Sequence, residues 1–361
     1  MAMTDADARK ILCLTQPPDN SFTRLIIQYP QLDGVKAQLP GPPAPNPKLQ
    51  MSSMPLDKLP LEVQCMILSR VDYLDLKHLK MVNHAAQALV YTIPEYVRTV
   101  TAAPEILPVL AFTKLESSFD LKTVHQLLVS SECAFCHRFG GFVFLPSLQR
   151  CCQYCVEYHP DTKPITRYMA HAYEISGKAL DKLPRMQGPS GYFGEPARPR
   201  TNPYDGHLLM SRGLTRQAGK NKMPGYVIEK KSGKSPDQWA KAWQRYMVVL
   251  PMPFLNVGTG EIHHGLQCKG CALSPECQER RHMKGHRCQL RSLTGELIPS
   301  YPLGPNHGDQ NARQALHANN IQTCGFRVMK TRLYTPEGFL RHFEECAYAQ
   351  NLWQLTPGTT S

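Results

Sequence analysis

Two Cys-x-x-Cys knuckles, Cys133-Ala-Phe-Cys136 and Cys152-Gln-Tyr-Cys155, stand 15 residues apart and constrain this chain more than any other feature. Each knuckle is a tight turn that presents two thiolates, and the loop between them is long enough to fold one turn onto the other. The spacing matches a tetrahedral zinc site. Four cysteines leave no open coordination position, so such an ion is expected to brace the fold rather than perform chemistry. Using Cys151 in place of Cys152 would change the second knuckle to Cys-x-x-x-Cys, and Cys151 is expected instead to be a small buried hydrophobe. His137 and His159 are reserve ligands.

The remaining cysteines point the same way. The chain has 13, an odd number, and all but Cys13 and Cys65 lie beyond residue 130. A fully disulfide-bonded secreted domain fits this clustering badly. The opening MAMTDADARK places acids before its first base and has no apolar core of signal length. The longest apolar stretch, Met247 to Val257, is too short to span a bilayer and contains two prolines. An intracellular, membrane-free protein is expected, in cytoplasm or nucleus.

A second metal site is expected around Cys268-Lys-Gly-Cys271. Its other two ligands have two solutions on spacing alone. The local one takes Cys277 and Cys288, or His282 and His286. The distant one takes His342 and Cys346, four apart on one face of a C-terminal helix, and closes a loop of 70 residues.

The organisation of the chain follows from its punctuation. PGPPAPNP, Pro40 to Pro47, is a stiff extended connector, so residues 1–50 read as a variable N-terminal segment with a proline-rich linker. Three short helices are expected over 51–98. Pro60 opens the first, with Val63, Ile67 and Val71 at four-residue steps. Asp75 caps the second, lined by Leu76, Leu79 and Val82. Asn83 stops or caps the chain before a third, running through Ala85, Ala86 and Leu89 to Pro94. Such short helices must pack on one another, on the following helices or on a partner. Connecting helices are expected over 99–130, at Glu105–Thr113 and Ser118–Val129. The first metal module spans 131–181, with a short hairpin around Gly140–Gly141. Residues 182–235 read as a Pro/Gly-rich and basic loop region. The second metal module spans 236–361. It should contain a helix from Pro236 carrying Trp239 and Trp243, and a last helix capped by Thr335 with Phe339, Phe343, Ala347 and Leu352 on its apolar side.

Function classes narrow in turn. The formal charge is +12, from 41 Lys and Arg against 29 Asp and Glu. With basic runs at Lys230–Lys234 and Arg280–Arg287, it makes zinc-dependent nucleic-acid binding the main alternative function. The same basic surface could recruit an acidic protein. No GxSxG, HExxH or Walker pattern is present, and Glu261 with His263 and His264 is only a weak cluster, so no catalytic residue is assigned.

The segment LPLEVQCMILSRVDYLDLKHLKMVNHAAQAL resembles an F-box. Leu59, Pro60 and Glu62 give its opening, Ile67 and Leu68 its apolar pair, Asp75 and Leu76 its helix break, and Val82 and Asn83 its Val-polar step. Where the family commonly has an aromatic residue next, this chain has His84, Ala85 and Ala86. The resemblance implies a small helical module that docks on the Skp adaptor of a cullin–RING ubiquitin ligase while the rest of the chain selects a protein substrate. The chain itself would then be a non-catalytic subunit. The adaptor-binding residues so implied are Leu59, Pro60, Val63, Ile67, Leu76, Leu79 and Val82. The wider pattern, CAFCHRFGGFVF with CCQYC, GLQCKGC and YTPEGFLRHFEECAYAQNLW, resembles fungal F-box proteins that carry cysteine-rich modules. Those proteins pair a knuckle with a late His and Cys, which implies Cys268, Cys271, His342 and Cys346 at the second site and two structural Zn2+ ions in all. The expected fold class is α+β and mostly helical: an N-terminal three-helix F-box-like module, then small zinc-stabilised modules with short strands and irregular loops.

Overall fold

The computed structural model describes residues 5–18, 58–167, 170, 176–188, 192–193, 200–201, 206–218, 245–273 and 332–355. Trp239, Trp243, His282, His286, Cys277, Cys288, Cys324, both basic runs and the proline-rich connector lie outside them. The chain divides into two compact units. One is Asn20–His263; the other joins the two ends, Met1–Asp19 with His264–Ser361.

In the larger unit, short helices follow one another at Leu61–Leu68, Tyr73–Val82, His84–Thr92, Pro94–Ala102, Ile106–Phe112 and Leu121–Val129. Their ends are set by local chemistry. Asp72 caps the second helix by accepting from Asp75 N at 2.9 Å, so the cap is Asp72 and not Asp75. Asn83 accepts from Ala86 N at 2.7 Å and starts the third. Pro94 takes the first turn of a fourth, where its missing N–H costs nothing. Four helices therefore begin where three were expected, and the fourth crosses the expected boundary at 98. Val71 lies beyond the first helix. Its carbonyl accepts from Leu121 N at 3.0 Å and Ser69 O accepts from Lys122 N at 2.8 Å, tying the break after the first helix to the helix Leu121–Val129.

These helices and the first cysteine module share one core. Leu68, Leu76, Val90, Ile93, Tyr96, Leu110 and Leu128 are buried in the same apolar cluster as Cys133, Val143, Phe144, Val249 and Leu250. The hairpin is present as Phe142–Phe144 paired antiparallel with Gln149–Cys151. Its turn is not Gly140–Gly141 but Leu145–Leu148, where Leu148 adopts a left-handed conformation at φ 48°. Val249–Pro251 pairs on the other edge of Phe142–Phe144. Residues 245–263 therefore belong with the first cysteine module, and the expected division at 235/236 is displaced to 263/264. Its apolar run, Met247 to Leu250, is fully buried there.

The region expected to be loop from 182 onward contributes strands. Leu208–Ser211 lies between Pro164–Thr166 and Met186–Gln187, antiparallel to both, over a small core of Ile165, Ala170, Leu180 and Met210.

In the smaller unit, Leu266–Cys268 is the central strand of three, between Thr15–Gln16 and Leu333–Tyr334. Thr335 Oγ1 accepts from Gly338 N at 3.0 Å and starts the helix Pro336–Glu345. The C-terminal helix breaks at Cys346 (φ −95°, ψ 93°) and resumes as Ala347–Gln354. The expected variable segment 1–50 thus begins with a helix, Asp5–Leu12, and a strand built into this unit. Among the described residues, no helix is long and apolar enough to cross a membrane.

A candidate docking face and two candidate metal centres

The first helix after Pro60 is turned inside out relative to an ordinary surface helix. Apart from Glu62 its exposed positions are apolar: Leu61 is 50 % exposed, Met66 70 % and Ile67 42 %, with Leu59 and Val63 beside them. Its inward positions are Gln64 and Leu68. Gln64 Nε2 donates to Leu59 O at 2.8 Å and pins the segment entering the helix. Met81 and Val82 add exposed apolar groups at the end of the second helix.

Of the residues implied to contact an adaptor, Leu59, Pro60, Val63, Ile67 and Val82 are exposed and Leu79 is half-buried. Leu76 is the correction. It is 0 % exposed, because its helix turns that side into the core alongside Tyr73. The inner side also holds Lys80, whose Nζ donates to Tyr96 Oη at 2.8 Å and lies over the rings of Tyr91 and Tyr96. Burial pushes its pKa down. Leu61, Met66 and Met81 are equally exposed, though the resemblance does not single them out. For Leu61 and Met66 the signal is an apolar run, LEVQCMIL, too wide for one buried stripe.

The first cysteine centre gathers Cys133, Cys136, Cys152 and Cys155, whose Sγ atoms all lie within 4.8 Å of one another. Cys136 and Cys152 are 3.5 Å apart. A tetrahedral zinc tetrathiolate has an S···S edge of about 3.8 Å, whereas a disulfide is about 2.05 Å. Phe135 N and Cys155 N point at Cys133 Sγ and Cys152 Sγ, each at 3.5 Å, as knuckle amides do. The turn is closed by His137 at φ 58°. Hydrogen bonds from Cys152 and Cys155 hold the Cys133 thiol well below the ordinary thiol range, while Cys133 pushes Cys152 up to about 12. Thiolates packed this closely repel, and a dication among them would remove the repulsion.

The reserve ligands stand apart from this cluster. His137 is exposed, 3.4 Å from Glu132. The His159 ring packs on Phe135 with its Nδ1 accepting from Asp161 N. Cys151 is fully buried, and burial raises its pKa well above the ordinary value.

Behind this centre sits Arg150, 2 % exposed. Its guanidinium donates to Leu127 O, Gly140 O, Met252 O and Pro253 O. One side chain thus joins the end of a helix, the loop after the first knuckle and the segment after the third strand. Burial lowers its pKa to about 10.

The second centre gathers Cys268, Cys271, His342 and Cys346 within the same 4.8 Å limit. Cys271 Sγ lies 3.3 Å from His342 Nε2 and 3.6 Å from Cys346 Sγ, and Cys268 Sγ lies 3.9 Å from Cys346 Sγ. The imidazole is stacked on Tyr334, ring centroids 4.5 Å apart and 19° from parallel, which aims Nε2 at the thiols. His342 and Cys346 do not share one continuous helical face as the spacing implied. Cys346 is the extended residue at the helix break, and that break swings its thiol to the knuckle. Hydrogen bonds with Cys268 and Cys271 hold the Cys346 thiol far below its ordinary range.

Both clusters could hold a metal ion, and their donor sets, four sulfurs and three sulfurs with one imidazole, are compatible with zinc. Glu261 and His263 pair at 3.6 Å on a hairpin, apart from either cluster. No curated protein and no solved structure matches the chain. A family model does: residues 56–98, the segment that bears the exposed apolar helix, match the F-box domain.

Proposed function

We propose that this protein is a substrate-recognition subunit of an SCF-type cullin–RING ubiquitin ligase. It docks on the Skp adaptor through Leu59, Leu61, Val63, Met66, Ile67 and Val82, and presents a protein substrate through other parts of the chain. The observation that carries this reading is the outward apolar face of the helix Leu61–Leu68 within the matched F-box segment. A monomer gains nothing by exposing such side chains; a partner that covers them does.

The role is geometric. Holding a substrate beside a ubiquitin-charged enzyme raises their effective concentration, and no residue of this chain need perform chemistry. Two zinc ions complete the reading, one held by Cys133, Cys136, Cys152 and Cys155, the other by Cys268, Cys271, His342 and Cys346. Both are structural, because each set closes a tetrahedron.

The test is co-expression of the full chain with the Skp adaptor. The two should co-purify, Val63→Asp with Ile67→Asp should abolish the complex, and Leu208→Asp, an exposed apolar residue outside the box, should leave it intact. Co-purification indifferent to the first pair would rule out this face.

A further inference from the structure

The N-terminal segment and the second cysteine centre meet in one small unit. Ile11 is 5 % exposed and Leu14 2 %, and both lie in the same buried cluster as Cys268, Cys271, Phe339 and Cys346. Thr15 pairs with Cys268 and Gln16 with Gln267, so the strand that ends in a ligand position is held along one edge by the chain's own N-terminal region. The knuckle residue between the two thiols is tied twice more: Lys269 N donates to Leu14 O at 3.0 Å and Lys269 Nζ to Cys13 O at 2.8 Å. A two-residue strand beside an eight-residue helix would not hold this place alone. It is ordered by burying Ile11 and Leu14, and in turn it fixes the backbone that aims Cys268 and Cys271.

We infer that Asp5–Gln16 is a strap that retains the metal ion at the second centre, so that the N-terminal region governs a site whose ligands all lie beyond residue 267. Ligand thiolates leave an ion one at a time, and the knuckle can swing open only if its strand peels from Thr15–Gln16 and Lys269 releases Leu14 O and Cys13 O. The strap therefore acts on the rate of release as much as on affinity. None of its residues belongs to the ligand set Cys268, Cys271, His342 and Cys346. The inference rests on the zinc reading of the second cluster, which Cys346→Ser tests separately.

The experiment measures zinc per chain and the rate of zinc transfer to a chromophoric chelator, on the full-length protein. The unaltered chain should carry two ions. Ile11→Asp with Leu14→Asp should lower this to one, with Cys133→Ser in the same background removing the remaining ion. Lys269→Met keeps the packing and removes only the side-chain tie. It should keep two ions at rest, with one transferring about tenfold faster, the effect expected of an outer partner of a metal ligand. Should the double variant not fold, Lys269→Met decides the matter alone. Two ions with unaltered transfer rates in these variants would overturn the strap. An ion content unchanged by Cys346→Ser in the otherwise unaltered chain would overturn the zinc reading of the second cluster and the strap with it.

Discussion

Arg150 shows how much one side chain can organise. Its five N–H groups form a rigid fork, and four backbone carbonyls from three segments occupy it. A lysine cannot reproduce that geometry. Arg150→Met should cost about 3–5 kcal/mol, since several buried acceptors lose their donor at roughly 1–3 kcal/mol each. Urea unfolding of the zinc-loaded chain should show it, and Arg150→Lys should recover little. Gly270 is a second such position. A Cβ there would lie 2.7 Å from Ala349 Cα and press on Ala349 N, so the knuckle and the last helix approach too closely for a side chain. Gly270→Ala should separate them, costing roughly 1–3 kcal/mol, and zinc analysis should find the second ion lost while the first stays. His125 contributes a pH dependence. Burial pushes its pKa down from 6.5, against a smaller opposing effect from Glu95 and a reinforcing one from Arg98, and its buried Nε2 has no hydrogen-bond partner among the described residues. The folded chain binds that proton less readily than the unfolded one, so stability falls as pH drops through 6.5 toward the lowered folded value. His125→Gln should flatten that slope in urea midpoints measured across pH 5–7, and an unchanged slope would remove His125 from the account.

At the scale of elements, helix ends carry the specificity that short helices cannot supply by propensity. Asn83→Ala removes the acceptor for Ala86 N and should cost about 1 kcal/mol by thermal or urea unfolding. Element existence was legible in the sequence because it depends on local period and punctuation. Pro60, Asn83 and Thr335 each mark a helix start where the structure has one, whereas Pro94, which reads as the end of the third helix, opens a fourth. Faces and junctions were less legible. A run such as LEVQCMIL shows that a helix is apolar but not which side a partner will take, and only the inward Gln64 and Leu68 reveal that. Leu76 looks equally available in the sequence, yet its helix turns that side into the core beside Tyr73. The break at Cys346 was invisible because His-x3-Cys fits one continuous helix equally well. The strand Val249–Pro251 was assigned to the wrong module because its partner Phe142–Phe144 lies about 100 residues earlier, beyond the reach of any local pattern.

Across the whole molecule, the two cysteine centres divide along the two units. The first lies in the same core as the box helices, and the second lies with the chain ends. Loss of the first ion should therefore reach the docking face, whereas loss of the second should not. Cys155→Ser should weaken adaptor binding and lower the unfolding midpoint of the box helices. Cys346→Ser should remove one zinc ion and leave adaptor affinity within about twofold of the unaltered chain. The sequence pointed to both candidate clusters, the second only through the family resemblance, but not to their division between two units, because the boundary at His263 depends on long-range strand pairing. Calorimetric titration of the purified, zinc-loaded chain with the Skp adaptor decides whether the outward face of Leu61–Leu68 is a docking surface. One-to-one binding with a negative heat-capacity change is expected, weakened at least about 30-fold by Met66→Asp with Ile67→Asp. Absence of binding by the unaltered chain, or equal binding by that variant, would contradict it.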